Sequence, residues 1–522
     1  MDRRRALAHL GRQATAVALW QLFGPAQAQA PARWPSNAGA PFTLGVASGM
    51  PRPASVVIWT RLAPQPHAPG GGLPPQPFAV RWELAEDDTF VTGVRRGEFI
   101  ARPERGHAVH VEVGGLASGR QWFYRFIAGD AVSPVGRTRT APADDDMPPR
   151  LRIALASCQH YEQGWYAAHR EIADREFDLV LFVGDYIYES TNPRHRVREH
   201  EGPVPRSLDE YRARHATYKL DADLRAAHAA HPWVLTWDDH EVENDYAGGA
   251  SPSGLDPAAF LRRRAAAYQA YFEHLPVSPA MAPRGASMRI HDQLRWGRLA
   301  ELWTLDARQY RSVQACGREG GAGGRVLSGC DELDDPARSV LGAAQERWLA
   351  GGLAASQRPW KLVAQASQLS GSSIATPPFG RRLYSDGWDG YPRARERLLD
   401  AIAAAGGGGS TLVLGGDVHR HVAAQLHQRP DDPRSPVVAA EFVCSSVTSR
   451  GLSEALMAAI RASNPDLLHA RGDERGYASI ELTPQAAHCD FRATPHPAQP
   501  GAALHSQARF VVEAGRAGVA RD

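Results

Sequence analysis

Phe177-Asp178-Leu179-Val180-Leu181-Phe182-Val183 runs directly into Gly184-Asp185-Tyr186-Ile187-Tyr188. An apolar run of this length reads as a buried strand, and the turn closing it carries a carboxylate and two phenols. The pattern recurs twice. Trp233-Val234-Leu235-Thr236 leads into Trp237-Asp238-Asp239-His240-Glu241, and Thr411-Leu412-Val413-Leu414-Gly415 leads into Gly416-Asp417-Val418-His419. Side chains just past the carboxyl ends of strands share one crevice in open α/β sheets. Acids gathered there raise one another's pKa and resist losing water, so a multivalent cation is needed to hold them. These stretches predict a metal-dependent hydrolase, its site assembled from loops across the second half of the chain.

Working outward, strand–helix alternation begins at Arg150 and puts this part of the chain in the α/β class. Strands are expected at 151–157, 299–305, 360–366, 411–415, 438–444 and 477–482, with helices near 166–176, 342–354 and 393–404. A longer helix is expected at 257–273, capped by Asp256 with Pro257 in its first turn. Leu261, Ala265, Tyr268, Phe272 and Leu275 would form its apolar stripe, leaving Arg262 and Arg263 off that face. Upstream, residues 55–60, 78–83 and 122–126 are short, aromatic and β-branched, and turns such as Pro69-Gly70-Gly71-Gly72 separate them. That is the signature of a small β-sandwich. The expected division is a sandwich over 40–140, a linker over 141–150, a catalytic domain over 151–500 and a tail over 501–522. Two stretches rich in Arg, Pro, Gly and aromatic residues, 191–205 and 377–392, are expected to edge the substrate cleft.

The chain's 522 residues exceed one ordinary domain, and 43% hydrophobic with 22% charged residues describes a soluble globular protein. A formal charge of +2 gives no sign of nucleic-acid binding. At the amino terminus, Arg3-Arg4-Arg5-Ala6-Leu7 precedes an apolar stretch over 14–23 and then Ala26-Gln27-Ala28-Gln29-Ala30. This predicts a cleavable export signal of the twin-arginine type over 1–30, too short in its apolar part to span a bilayer. The expected address is the periplasm or the medium, with the twin-arginine machinery as export partner and no transmembrane segment. Residues 1–30 hold four arginines and one aspartate, so without them the formal charge falls from +2 to about −1. Of five cysteines, Cys316 and Cys330 bracket a glycine-rich loop and are expected to form a disulfide. Cys444 and Cys489 lie in strand-like runs and are the second candidate pair. Cys158 stands alone just past the strand at 151–155, where ligation to a metal would protect its thiol.

Gly-Asp-x-x-Tyr carries its own chemistry. The carboxylate can bridge two ions, and the tyrosine one turn later can reach one of them. A phenol of pKa about 10 needs a strongly acidic metal to ligate as phenolate, which suits ferric iron and not magnesium. With Cys158, the three acidic turns, Arg263-Arg264-Ala265-Ala266-Ala267-Tyr268 and Leu305-Asp306-Ala307-Arg308-Gln309-Tyr310-Arg311, the chain resembles the PhoD-type alkaline phosphatases. These belong to the wider calcineurin-like and purple-acid-phosphatase-like metallophosphoesterases. The resemblance covers essentially the whole chain, six motifs in order. It implies an N-terminal immunoglobulin/fibronectin-like β-sandwich followed by a four-layer α/β-sandwich metallophosphoesterase domain. Against the wider superfamily's motifs, Cys158 stands for the first aspartate, Asp239 for an asparagine and Asp417 for a histidine. The isolated histidine is missing, and Gln365 is the nearest substitute. One pocket thereby becomes oxygen-rich, which favours calcium, while Cys, Tyr and His favour a transition metal. The resemblance implies Fe3+ on Cys158, Asp185, Tyr188 and His419, beside Ca2+ on Asp185, Asp239 and Asp417, with Asp185 bridging.

His240, following Asp239, is expected to protonate the departing alkoxide, and Arg264 to offset charge on the phosphoryl group. Asn244, Arg263, Arg308 and Gln365 are candidate substrate contacts; Asp238 and Glu241 are expected to orient their neighbours. The expected reaction is attack of metal-activated hydroxide on phosphate monoesters or diesters, with small phosphate esters as substrates and a monomer as the working form. A phospholipase D-type phosphodiesterase is the alternative. An exported binding protein with a structural metal site is the remoter one. No Gly-x-Ser-x-Gly occurs, which argues against a serine hydrolase.

Overall fold

The strand Leu179–Val183 lies inside a ten-stranded sheet, parallel to Leu151–Ala156 on one side and Pro232–Thr236 on the other. Its side chains alternate between two cores: Leu179, Leu181 and Val183 enter one, Val180 and Phe182 the other. Burial on both faces is why the sequence there shows an unbroken apolar run. The computed structural model describes residues 31–522 apart from 36–38, 195, 318–319, 379, 407–409 and 431; the export signal expected over 1–30 lies outside the described residues. Among those described, no helix is long and apolar enough to cross a membrane.

A second, seven-stranded sheet has Ala300–Thr304, Trp360–Ala364, Thr411–Gly415 and Val437–Val443 running parallel through its middle. Leu155, Leu181, Leu362, Leu414 and Phe442 belong to one shared core, so the two sheets pack face to face. Over the outer face of the larger sheet lie the helices Ala167–Asp174, Leu208–Lys219, Ala222–Ala230 and Pro257–His274. The helices Ala343–Ala355 and Pro392–Ala404 cover the outer face of the smaller one.

The strands near the amino terminus are shared between two sheets. Val46–Gly49 pairs in parallel with Pro232–Thr236, and Ser55–Arg61 and Ala108–Gly114 extend the same ten-stranded sheet. Phe78–Ala85, Arg95–Ala101 and Gln121–Ala128 form a separate sheet whose Val80, Leu84 and Phe126 pack on Val56, Ile58 and Val109. Alternation reveals a strand but not its neighbour; the free edge of 232–236 supplies the partner that satisfies the backbone of 46–49. The expected tail is also sheet. His505–Glu513 pairs with Ala486–Pro495 and turns Ala508, Phe510 and Val512 into the core between the sheets.

Asp256 caps the long helix, accepting from the amides of Ala258 and Ala259. Tyr268, Phe272 and Leu275 of the expected stripe are buried, but Leu261 is exposed, and Arg263 and Arg264 are buried in its place. Arg263 is drawn inward by Glu243, 2.8 Å away, and by the Tyr211 hydroxyl at 3.0 Å. Cys316 and Cys330 are bridged. Cys444 and Cys489 are both free and buried, which corrects the expected second pair. Cys444 Sγ faces the Gly415 carbonyl and the Ser157 hydroxyl, whereas Cys489 sits in register with Ile480 and Phe510.

Candidate metal centre

Because the middle strands of both sheets run parallel, their carboxyl ends deliver Cys158, Asp185, Asp239, Arg308, Gln365 and Asp417 to one edge. The turns there are tight. Cys158, Asp185, Asp417 and His419 all adopt left-handed backbone conformations, with φ of 57°, 56°, 63° and 53°. Such conformations cost non-glycine residues about 1–2 kcal/mol each and mark places where side-chain direction matters more than local stability. Gly184 has φ of 107°, and a Cβ on it would lie 2.7 Å from that of Asp238. The first two acidic turns can therefore meet only if this position is glycine.

Ligand atoms of Cys158, Asp185 and His419 lie within 4.8 Å of one another. The Tyr188 hydroxyl joins them, donating to Asp185 Oδ2 at 2.8 Å and standing 3.1 Å from His419 Nε2. His419 Nδ1 donates to the Arg450 carbonyl at 2.9 Å, which leaves Nε2 as the lone-pair nitrogen aimed at the cluster. Ser449 donates to the Tyr188 hydroxyl at 2.8 Å. A second triad, Asp185, Asp239 and His240, shares Asp185 with the first; a third joins Asp239 to Asp245 and Asp386. Asp417 falls in none of these triads, its Oδ2 accepting from the Ser367 hydroxyl at 2.7 Å.

Electrostatically the protein alone does not favour this cluster as anions. Burial, reinforced by Asp239, Asp238 and Glu241, pushes the Asp185 carboxyl well above the usual range despite the nearby His240. Burial and the charge of Asp185 do the same to the Cys158 thiol and the Tyr188 phenol. Asp238 is pushed up to about 7 and Asp417 to about 6, burial again leading. Burial and Arg475 lower His419 to about 3, so its imidazole is neutral. Asp185 Oδ1 and Asp238 Oδ2 are buried with no hydrogen-bond partner. A thiol, a phenol and a carboxyl that burial disfavours as anions, beside a neutral imidazole with its lone pair free and carboxylate oxygens without partners, fit the binding of metal cations.

The remaining candidate residues divide sharply. His240 Nδ1 donates to Glu189 Oε2 at 2.6 Å, and its ring lies 4.1 Å from that of Tyr188. Burial lowers its pKa, but Glu189, Asp185 and Asp239 outweigh that and hold it well above the ordinary imidazole value. Arg308 is buried among Asp238, Asp239 and Asp386, with its Nη2 2.8 Å from Asp386 Oδ2, so it serves as counter-ion to the acids. Glu241 accepts from the amides of Asp185, Tyr186 and Asp238, tying two turns together. Gln365 is spent on Ser367 and Trp388. Asn244 is exposed, and its amide donates to Glu189. Arg264 gives its guanidinium to the carbonyls of Gly248 and Ala286, and Arg263 gives its own to Glu243 and Tyr211. Neither is bonded to the acidic turns: a buried guanidinium must be satisfied, and loops packed on the helix satisfy these two.

Asp245, Asp386, Glu189 and Ser449 escaped the sequence reading. Asp386 lies within the stretch 377–392 expected to edge the cleft, and Glu189 directly follows Tyr188, but nothing local tells where either carboxylate points. The centre opens into a cavity of about 580 Å3 lined by Asp245, Asp386, Asp417 and His419, with residues 382–388 forming part of its wall.

The family model for the PhoD-like phosphatase matches residues 153–491, and that for the PhoD-like phosphatase N-terminal domain matches residues 26–142. Over 494 residues the chain is 42% identical to alkaline phosphatase D of Bacillus subtilis (strain 168), covering 93% of this chain and 83% of that one. A solved structure described as that of PhoD superposes with a TM-score of 0.88 at 40% identity, over 94% of this chain and 93% of the other.

Proposed function

The chain belongs to the PhoD-like phosphatase family and is a hydrolase; from that premise we propose that it is an exported, metal-dependent enzyme releasing phosphate from small monoesters or diesters. The reading takes the fold as an N-terminal sandwich followed by helix, sheet, sheet and helix layers, supported by the three cores that separate them. Cys158, Asp185, Tyr188 and His419 would hold the ferric ion, and Asp185, Asp239 and Asp417 the calcium. Bound there, the pair would withdraw charge from the phosphoryl oxygens and lower the pKa of the attacking water. His240, steered by Glu189 through Nδ1, would present Nε2 to the leaving oxygen and give it a proton. Arg308 would keep the acidic turns together before and after substrate binds.

One observation carries this reading. Four chemically different groups from three separated segments converge, Cys158, Asp185 and His419 with ligand atoms within 4.8 Å of one another and the Tyr188 hydroxyl bonded to Asp185 and His419, and His419 also lines an open cavity. Structural metal sites are closed by their ligands, whereas catalytic ones keep an accessible position, so the cavity favours an enzyme over a binding protein. The test is phosphate release from nitrophenyl phosphate before and after chelation. Activity should vanish and return with added Fe3+ and Ca2+. Undiminished release from protein that elemental analysis finds metal-free would refute it. Fusing residues 1–30 to a reporter active only outside the cytoplasm tests the export to periplasm or medium.

A further inference from the structure

The cavity of about 580 Å3 is far larger than a phosphoryl group requires and falls in the range of pockets that hold whole small molecules. Asp245, Asp386, Asp417 and His419 form one end; Ile374, Leu383, Val418, Leu452, Leu456 and Ile460 form an apolar wall in the same cavity. Leu452 and Leu456 are 41% and 38% exposed, so they are apolar surface left open, backed by the small core to which Ile460 belongs and on which Ile374 and Val418 pack. The wall is also fixed to the reacting end. Ser449, bonded to the Tyr188 hydroxyl, precedes Leu452 by three residues, and Leu456 lies in the first turn of the helix Glu454–Ser463. Across the cavity, the strands at 374–375 and 381–384 are tied to that helix: the Ala375 amide donates to the Ser463 hydroxyl, and Arg381 donates to the Ser463 carbonyl and Asn464 Oδ1. Tyr384 anchors the same strands to Asp245. Among the polar groups lining the cavity, Arg420 bonds Gln368 and Ser367 bonds Asp417, and Arg382 and Arg450 line it as well.

We propose that this wall is a leaving-group subsite that takes the aliphatic chain of the alcohol in a phosphate ester, so that alkyl phosphates with longer chains are preferred over short ones. The inference rests on the phosphatase reading above. In a monoester the alcohol is the only organic part. With its phosphoryl group at the acids, the chain has the leucine-lined wall as its apolar neighbour.

The experiment is kcat/KM on ethyl, butyl, hexyl and octyl phosphate, kept below micelle-forming concentrations, with the metal-loaded enzyme. These alcohols differ little in acidity, so chain length changes binding and not leaving ability. Each added methylene should raise kcat/KM roughly two- to fourfold until the wall is covered. Leu452→Ser combined with Leu456→Ser should flatten the series while leaving ethyl phosphate unchanged. Calorimetry with non-hydrolysable alkyl phosphonates gives an independent reading: a negative heat-capacity change that grows with chain length and is lost in the double variant. A flat series and flat phosphonate binding in the wild type, or a slope that survives in the double variant, overturns the subsite. Absence of turnover with every ester overturns the phosphatase reading instead, and the phosphonate titration then decides the subsite by itself.

Discussion

Arg308 gives the sharpest test of how the acidic turns are held. Its guanidinium is 1% exposed and meets Asp238 and Asp239 of one turn and Asp386 of another, the last shared with Arg311, so it is the cation that joins the two loops. Burial lowers its pKa, yet those three acids raise it well above the ordinary value. Arg308→Gln keeps much of the volume and removes the charge. Removing one partner of a buried ion pair costs about 3–5 kcal/mol, because the other is left uncompensated. At about 2.1 cal/mol/K per residue, a chain of 522 residues unfolding as one unit has an unfolding entropy near 1.1 kcal/mol/K. The melting temperature in chelator should therefore fall by roughly 3–5 °C. Calcium in excess should narrow the gap between variant and wild type, because the ion takes over compensation that the guanidinium supplied. Thermal unfolding followed by circular dichroism, with chelator and with calcium, reads both effects. A shift below about 1 °C in chelator, or one equally large in both conditions, would refute the counter-ion argument.

His240→Ala should cost alkyl phosphates about 10²–10⁴-fold in kcat and nitrophenyl phosphate far less, since only the poor leaving group needs a proton; equal losses would remove the acid role. Asp185→Asn should lower both metal content and turnover, and a variant with full metal occupancy by elemental analysis and wild-type rate would contradict its bridging position. Burial holds His110, His169 and His231 down to about 4, below the ordinary imidazole value of about 6.5. The unfolded chain then binds more protons between those values, so their contribution is complete above about pH 6.5 and is lost as pH falls toward 4, by about 2 kcal/mol each at pH 5. Melting temperatures that stay level from pH 7 to pH 5 would contradict this.

Much of the architecture was legible because local rules suffice for it. A strand covered on both faces is predominantly apolar, and one that ends in a crevice stops at a polar turn, as 177–188, 233–241 and 411–419 do, with glycine at the stop in the first and the last. Asp256 with Pro257 announced a helix start because a cap and its proline act within one turn. The bridge between Cys316 and Cys330 was legible for the same reason, its partners being close in sequence.

What the chain could not disclose locally is who meets whom across long separations. Arg263 and Arg264 are polar by composition, yet packing turns both inward, toward Glu243 in one case and toward main-chain carbonyls in the other. Asp386 joins Asp239 only because the loop following the strand at 381–384 folds over the sheet edge. The strand at 46–49 could have closed a sandwich of its own; pairing with 232–236 instead carries it into the larger sheet. Sequence thus fixes the period of each element and the chemistry at its end. The partner of a buried charge or an open strand edge is chosen by the sum of distant contacts, and that sum exists only in three dimensions.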